Sequence, residues 1–167
     1  MLIAVKDIPI VGQHYALEME CTALELELKC LSPVLFTGHI YRSNDDIRVD
    51  GNVKTRIQMN CGRCLDDFAF DIDNNFEIYY RPYPSGTSSH APKDQEKDLG
   101  ILHYRNGVID LGMAVRDTII LELPIKRLCR EDCLGLCLVC GGNRNHTNCH
   151  CQQEKKSYNP FEEFFNH

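Results

Sequence analysis

Period-two alternation dominates the first half of the chain. From Ile47 to Met59 the odd positions are Ile47, Val49, Gly51, Val53, Thr55, Ile57 and Met59; the even positions are Arg48, Asp50, Asn52, Lys54, Arg56 and Gln58. Successive side chains on a strand point to opposite faces, so this pattern predicts a long strand with one buried and one wet face. A second run sets Phe68, Phe70, Ile72, Phe76, Ile78 and Tyr80 on one face, with Asn74 the exception. Two such runs predict an antiparallel pair, with Cys61-Gly62-Arg63-Cys64 at the tip between them.

The remaining segments are read in the same way. Leu2 to Ile8 predicts a strand. Tyr15 to Leu31 alternates with a change of phase near Thr22, which predicts a bulge or break, although its Glu and Leu content also suits a helix. Val34 to Arg42 predicts a strand followed by a turn at Ser43-Asn44-Asp45-Asp46. Residues 81–100 read as a flexible linker, too polar to order themselves by burial. Ile101 to Tyr104 and Val108-Ile109 resume an ordered pattern. Asp110 is a candidate N-cap for a helix from Leu111 to Leu123, with Leu111, Ala114, Val115, Thr118 and Ile119 as its apolar stripe and Pro124 as its stop. Asn159-Pro160 opens a short terminal helix over 158–166, with Phe161, Phe164 and Phe165 on one face, docked on the core or anchoring a partner.

The fold class this implies is α+β: a mainly antiparallel, strand-rich body over 1–80, a strand and one covering helix over 101–128, a cysteine-rich metal-binding segment over 129–151, and the terminal helix. At 167 residues a single domain spanning 1–167 is expected. Met1 to Val11 carries Lys6, Asp7 and Pro9 and does not read as a signal peptide, and no apolar run reaches the roughly 20 residues of a membrane span. A cytoplasmic location is expected, without a membrane partner.

Charge narrows the function. The formal net charge is −6. Two zinc ions on four thiolates each would bring it to about −10. So acidic a chain gains little from non-specific attraction to phosphate. Contact with RNA requires a local patch or a protein intermediary. Arg48, Lys54 and Arg56 share the wet face of the clearest strand and form the candidate face for a partner or RNA.

The chemistry lies in the cysteines. Six of the ten fall between Cys129 and Cys151, and Cys61 and Cys64 form a further close pair. Thiolates two residues apart grip one soft ion without strain, and glycines after Cys140 let the backbone turn its amides toward sulfur. The candidate metal ligands are Cys61, Cys64, Cys129, Cys133, Cys137, Cys140, Cys149 and Cys151, for one or two structural zinc ions. Two arrangements stand open. One sets Cys137, Cys140, Cys149 and Cys151 together and joins Cys61 and Cys64 to Cys129 and Cys133. The other is a single site from Cys61, Cys64, Cys137 and Cys140. His146 and His150 are reserve ligands, and Cys21 and Cys30 read as core residues.

A thioredoxin-type redox pair needs a helix after its first cysteine, whereas a strand is expected after Cys64. No nucleophile–base pair, phosphate-cradling loop or paired-carboxylate motif is evident. A non-enzymatic protein without a small-molecule substrate is the expectation. Its rivals are a redox or iron–sulfur protein using the same cysteines and a zinc-ribbon adaptor that binds protein alone.

An ordered set of short motifs carries a resemblance. Cys61-Gly62-Arg63-Cys64-Leu65, Ile109-Asp110-Leu111, Leu121-Glu122-Leu123-Pro124, the run Cys129 to Cys151 and Asn159-Pro160-Phe161 together resemble the bacterial YceD-type family, from about Ile47 onward. Members of that family are linked to accumulation of large-subunit ribosomal RNA. The resemblance implies a cytosolic assembly factor whose partners are the large ribosomal subunit precursor, its RNA or its proteins. Some members lack most of the tail cysteines, which implies that metal there stabilises rather than performs the common function.

Overall fold

A computed structural model of the chain describes residues 1–83 and 100–151. Most of the expected linker, and the whole terminal helix with Phe161, Phe164 and Phe165, lie outside the described residues. The chain divides into two units: 1–59 with 67–126, and 60–66 with 127 onward.

The first unit carries the sheet. Its strands are β1 (Leu2–Ala4), β2 (Gln13–Met19), β3 (Lys29–Cys30), β4 (Val34–Ser43), β5 (Asp46–Asn60), β6 (Asp67–Pro82), β7 (Ile101–Tyr104) and β8 (Val108–Asp110). The main sheet has the order β2-β4-β5-β6-β7, with β3 also on β5, while β1 and β8 form a separate pair. Pairing is antiparallel at β2–β4, β3–β5 and β4–β5. The ion pairs Arg56–Asp71, Lys54–Asp73 and Arg48–Glu77 run in opposite sequence directions across β5 and β6, as antiparallel strands require. Only β7 joins in parallel among these pairings, on β6. The alternation of β5 maps directly onto burial: Ile47, Val49, Val53, Thr55, Ile57 and Met59 are all buried.

The phase change near Thr22 is a true break. A single 3-10 turn, Cys21–Leu24, separates β2 from β3, and Glu25 closes it in the left-handed conformation at φ 51°. The helix that this composition also suits does not form, because β2 finds a full-length partner in β4. Cys21 and Cys30 belong to the core as expected, and their sulfurs are joined as a disulfide with Cα atoms 6.3 Å apart. The turn between β4 and β5 is of the tight hairpin kind, with Asn44 at φ 56° supplying the positive φ.

A glycine pair makes room at the centre of the sheet. Gly38 and Gly51 stand directly opposite each other on β4 and β5. Phe36, fully buried, lays its ring over the gap, and a Cβ on Gly51 would collide with it and come 3.1 Å from Phe76. The rings of Phe36 and Phe76 lie 6.0 Å apart.

One helix, α1 (Leu111–Glu122), begins where predicted. The Asp110 carboxylate accepts the Met113 backbone N–H at 3.3 Å, and Leu111, Ala114, Val115, Thr118 and Ile119 are buried. Among the described residues no helix is long and apolar enough to cross a membrane.

Gly51→Ala is expected to destabilise the chain by about 1–3 kcal/mol, the usual cost of overpacking. Urea unfolding followed by circular dichroism measures it. An unchanged midpoint would show that Phe36 yields freely.

Candidate metal centres

Both cysteine groups lie in the second unit, and their sulfurs converge. Cys61, Cys64, Cys129 and Cys133 form one group, and Cys137, Cys140, Cys149 and Cys151 the other; within each, all sulfurs lie within 4.8 Å of one another. This is the first of the two arrangements left open by spacing. Cys61 and Cys64 are not grouped with Cys137 and Cys140, and neither His146 nor His150 joins a group.

Local backbone geometry explains the convergence. At the tip between β5 and β6, the Cys61 N–H donates to Asp66 O at 2.9 Å, and the Leu65 N–H donates to Cys61 O at 2.9 Å. Leu65 adopts φ 65° to close this loop. The Gly62 N–H donates to Arg127 O at 2.7 Å, which brings the segment carrying Cys129 alongside. Arg63 completes the link, its guanidinium donating to Cys133 O at 3.1 Å and its carbonyl accepting the Leu136 N–H at 3.1 Å. Gly135 packs against that same carbonyl at φ 70°.

The second group starts from a knuckle. The Cys137 N–H donates to Gly142 O at 2.8 Å, the Gly141 N–H donates to Cys137 O at 2.9 Å, and the Val139 N–H points at Cys137 Sγ at 3.5 Å. Gly141 supplies the positive φ, 71°, that the reversal requires.

The spacing suits a single ion. Four thiolates about 2.3 Å from a tetrahedral zinc ion would stand about 3.8 Å from one another. Cys61 and Cys133 sulfurs are 3.7 Å apart, as are those of Cys64 and Cys129. Burial acts to raise Cys61, but backbone N–H groups of Cys129, Cys64 and Arg63 outweigh it and hold the thiol near 6. Burial pushes Cys64 up to about 12. In the other group, N–H groups of Cys140 and Val139 hold Cys137 near 6, while hydrogen bonding with Cys140 and burial push Cys151 up to about 12. Each group therefore ionises in part by itself, and a dication would complete the process.

Polar side chains brace the sulfurs. Asn145 donates to Cys133 Sγ at 3.4 Å, and its carbonyl oxygen accepts from the Leu134 N–H at 2.9 Å. Asp66 accepts from Asn143 at 2.8 Å and lies 2.8 Å from His146 Nε2, and these two contacts hold its carboxyl below the usual range. Such outer contacts orient metal ligands. Nothing in the spacing of Asp66, Asn143 and Asn145 announced this role.

Among the described residues of this unit, the buried side chains are those of Cys61, Cys64, Cys133 and Cys137. Leu65, Leu134, Leu138 and Val139 are exposed, Leu138 at 89%. Among the described residues, none of this unit's side chains belongs to the apolar core cluster.

The candidate basic face is neutralised strand by strand. Arg48 lies 2.8 Å from Asp50 and 3.2 Å from Glu77, Lys54 lies 3.0 Å from Asp73, and Arg56 lies 3.3 Å from Asp71.

A family model described as "Large ribosomal RNA subunit accumulation protein YceD" matches residues 49–164. The "Large ribosomal RNA subunit accumulation protein YCED homolog 1, chloroplastic" of Zea mays is 30% identical over 144 residues, 72% of this chain and 49% of its own. The protein of the same description from Arabidopsis thaliana is 29% identical over 146 residues, 75% of this chain and 46% of its own. An uncharacterised protein of Mycobacterium leprae (strain TN) is 28% identical over 111 residues, 66% of this chain and 48% of its own. The chain thus spans about half the length of the curated relatives it matches. No solved structure matches it. The chain belongs to the YceD family.

Two outcomes test the grouping. Cys61→Ser and Cys137→Ser should each remove about one metal equivalent per chain, and Cys21→Ser none, by elemental analysis; loss of all metal from Cys61→Ser would mean that the groups do not load independently. Metal affinity should rise with pH, because the raised thiols of Cys64 and Cys151 must lose protons on binding. Titrating zinc into chelator-stripped protein near neutral pH should release about two or more protons per ion. Release of none would contradict the ionisation pattern.

Proposed function

We propose that this YceD-family chain is a non-enzymatic factor in the accumulation of large-subunit ribosomal RNA, and so in assembly of that subunit, with two zinc ions as structural ties in its second unit. The family match over residues 49–164 carries the first half of the reading. The two four-sulfur groups carry the second.

Zinc suits these groups on three counts. The donor set is entirely thiolate, the 3.7 Å sulfur spacing in the first group fits a single tetrahedral ion, and four protein ligands leave no position for an activated water. An iron–sulfur cluster distributes its cysteines over separate irons, which holds their sulfurs farther apart than ligands sharing one ion. The strand β6 following Cys64 argues against a redox pair of the thioredoxin type, whose nucleophile relies on a helix N-terminus. The factor works in the cytoplasm on the large-subunit precursor, its RNA or its proteins, and takes no small-molecule substrate.

Depletion of the chain should lower large-subunit ribosomal RNA relative to small-subunit RNA, with wild type but not a Cys61→Ser, Cys137→Ser double variant restoring the ratio. Protein purified without an affinity metal column should be colourless and carry about two zinc ions. An unchanged RNA ratio would remove the ribosomal reading. Visible absorption with iron would replace zinc by redox chemistry.

A further inference from the structure

The wet face of the sheet in the first unit carries exposed rings as well as charges. Tyr41 on β4 stands directly opposite Arg48 on β5, and Tyr79 on β6 flanks the same cleft. Tyr41 is 38% exposed and Tyr79 39%. The ring row continues along β4 and across to β2: His39 stacks on Tyr41 with centroids 6.0 Å apart and planes 21° apart, and His14 meets His39 edge-on at 4.9 Å. Tyr41 is held in place from below. Gly12, at φ 80°, lies so close that a Cβ there would come 2.5 Å from its ring. The Tyr79 hydroxyl donates to Glu77, which also pairs with Arg48 at 3.2 Å.

Tyr41 and Tyr79 border a cleft of about 870 Å³ that also takes in Arg48, Arg81, Asp46 and Asp50. Ile10 is the one aliphatic side chain among the described residues lining it. Tyrosine and arginine also anchor protein partners, but in deep apolar pockets, and this cleft has little aliphatic lining. It offers flat π faces, guanidinium planes and carboxylate acceptors instead. Those are the groups that recognise unstacked bases: rings and guanidinium take the base faces, and acceptors take the N–H donors of the Watson–Crick edge. In a duplex both surfaces are occupied.

We propose that the Tyr41–Arg48–Tyr79 row across β4, β5 and β6 is a stacking platform for single-stranded RNA. This inference rests on the ribosomal RNA reading above and gives it a contact surface. The charges explain why composition did not reveal it. Arg48 and Arg81 are matched by Asp50, Glu77 and Asp46, so phosphate attraction contributes little and base stacking contributes most. Binding by this face has a shallow salt dependence for that reason.

The test is fluorescence anisotropy of the metal-loaded full chain with a labelled 12-nucleotide RNA, single-stranded and as a duplex. Wild type should bind the single strand and not the duplex. Tyr41→Ala and Tyr79→Ala should each weaken binding roughly 5- to 150-fold, the loss of one stacked base, while Tyr41→Phe keeps wild-type affinity. Circular dichroism confirms that each variant is folded. Equal binding of duplex, absence of binding by wild type, or wild-type affinity in either alanine variant would overturn the proposal. So would variants that lose sedimentation with ribosomal precursors yet bind the RNA unchanged, since the face would then read protein. Failure to bind RNA by a chain whose depletion still lowers large-subunit RNA removes the platform alone. Intact binding with an unchanged RNA ratio removes the ribosomal reading alone.

Discussion

Two sets of four sulfurs, each held within 4.8 Å of one another, are the constraint on which the second unit depends. Residues 60–66 and 127–151 bury almost nothing but cysteine side chains, and Leu65, Leu134 and Leu138 face water. Cysteine burial on this scale offsets little conformational entropy, and small units of this kind generally draw on metal, disulfides or a partner. Everything else there follows from holding thiolates at contact distance: the reversals at Leu65, Gly135 and Gly141, the amides aimed at Cys61 and Cys137, and the braces from Asn145 and Asp66. The first unit obeys another rule. Its sheet and helix bury a continuous apolar cluster from Ile3 to Ile119.

What could be read from the chain was local. The alternation of β5, the cysteine pair at the strand tip and the Asp110 cap each depend on neighbours within a few residues, and each stands where the pattern put it. What could not be read depended on register. Arg48, Lys54 and Arg56 looked like a basic stripe because their partners Glu77, Asp73 and Asp71 arrive from the other strand. The Cys21–Cys30 bond needed the break after β2 and the return at β3 to bring two core positions together. Spacing alone left two groupings of the cysteines open, since C-x-x-C pairs fit either; the hydrogen bonds from Gly62 to Arg127 and from Leu136 to Arg63 decide between them.

Sulfur serves two chemistries in one chain. In the first unit it is covalently closed, Cys21 to Cys30, inside the apolar cluster. In the second it stays as free thiol, partly ionised by directed amides and arranged for a cation. The difference lies in surroundings. Apolar neighbours disfavour a thiolate, whereas converging N–H groups favour one.

The first metal group also has an order in time. Cys64 and Cys129, neighbours in that site, are 65 positions apart along the chain. Translation at about 5–20 residues per second makes the first pair wait several seconds for the second. During that interval Cys61 and Cys64 offer any ion two sulfurs only. The four-sulfur group is complete once Cys133 has emerged, and the knuckle at Cys137 follows it. Grouping of the eight thiols thus waits on synthesis of the chain through Cys151.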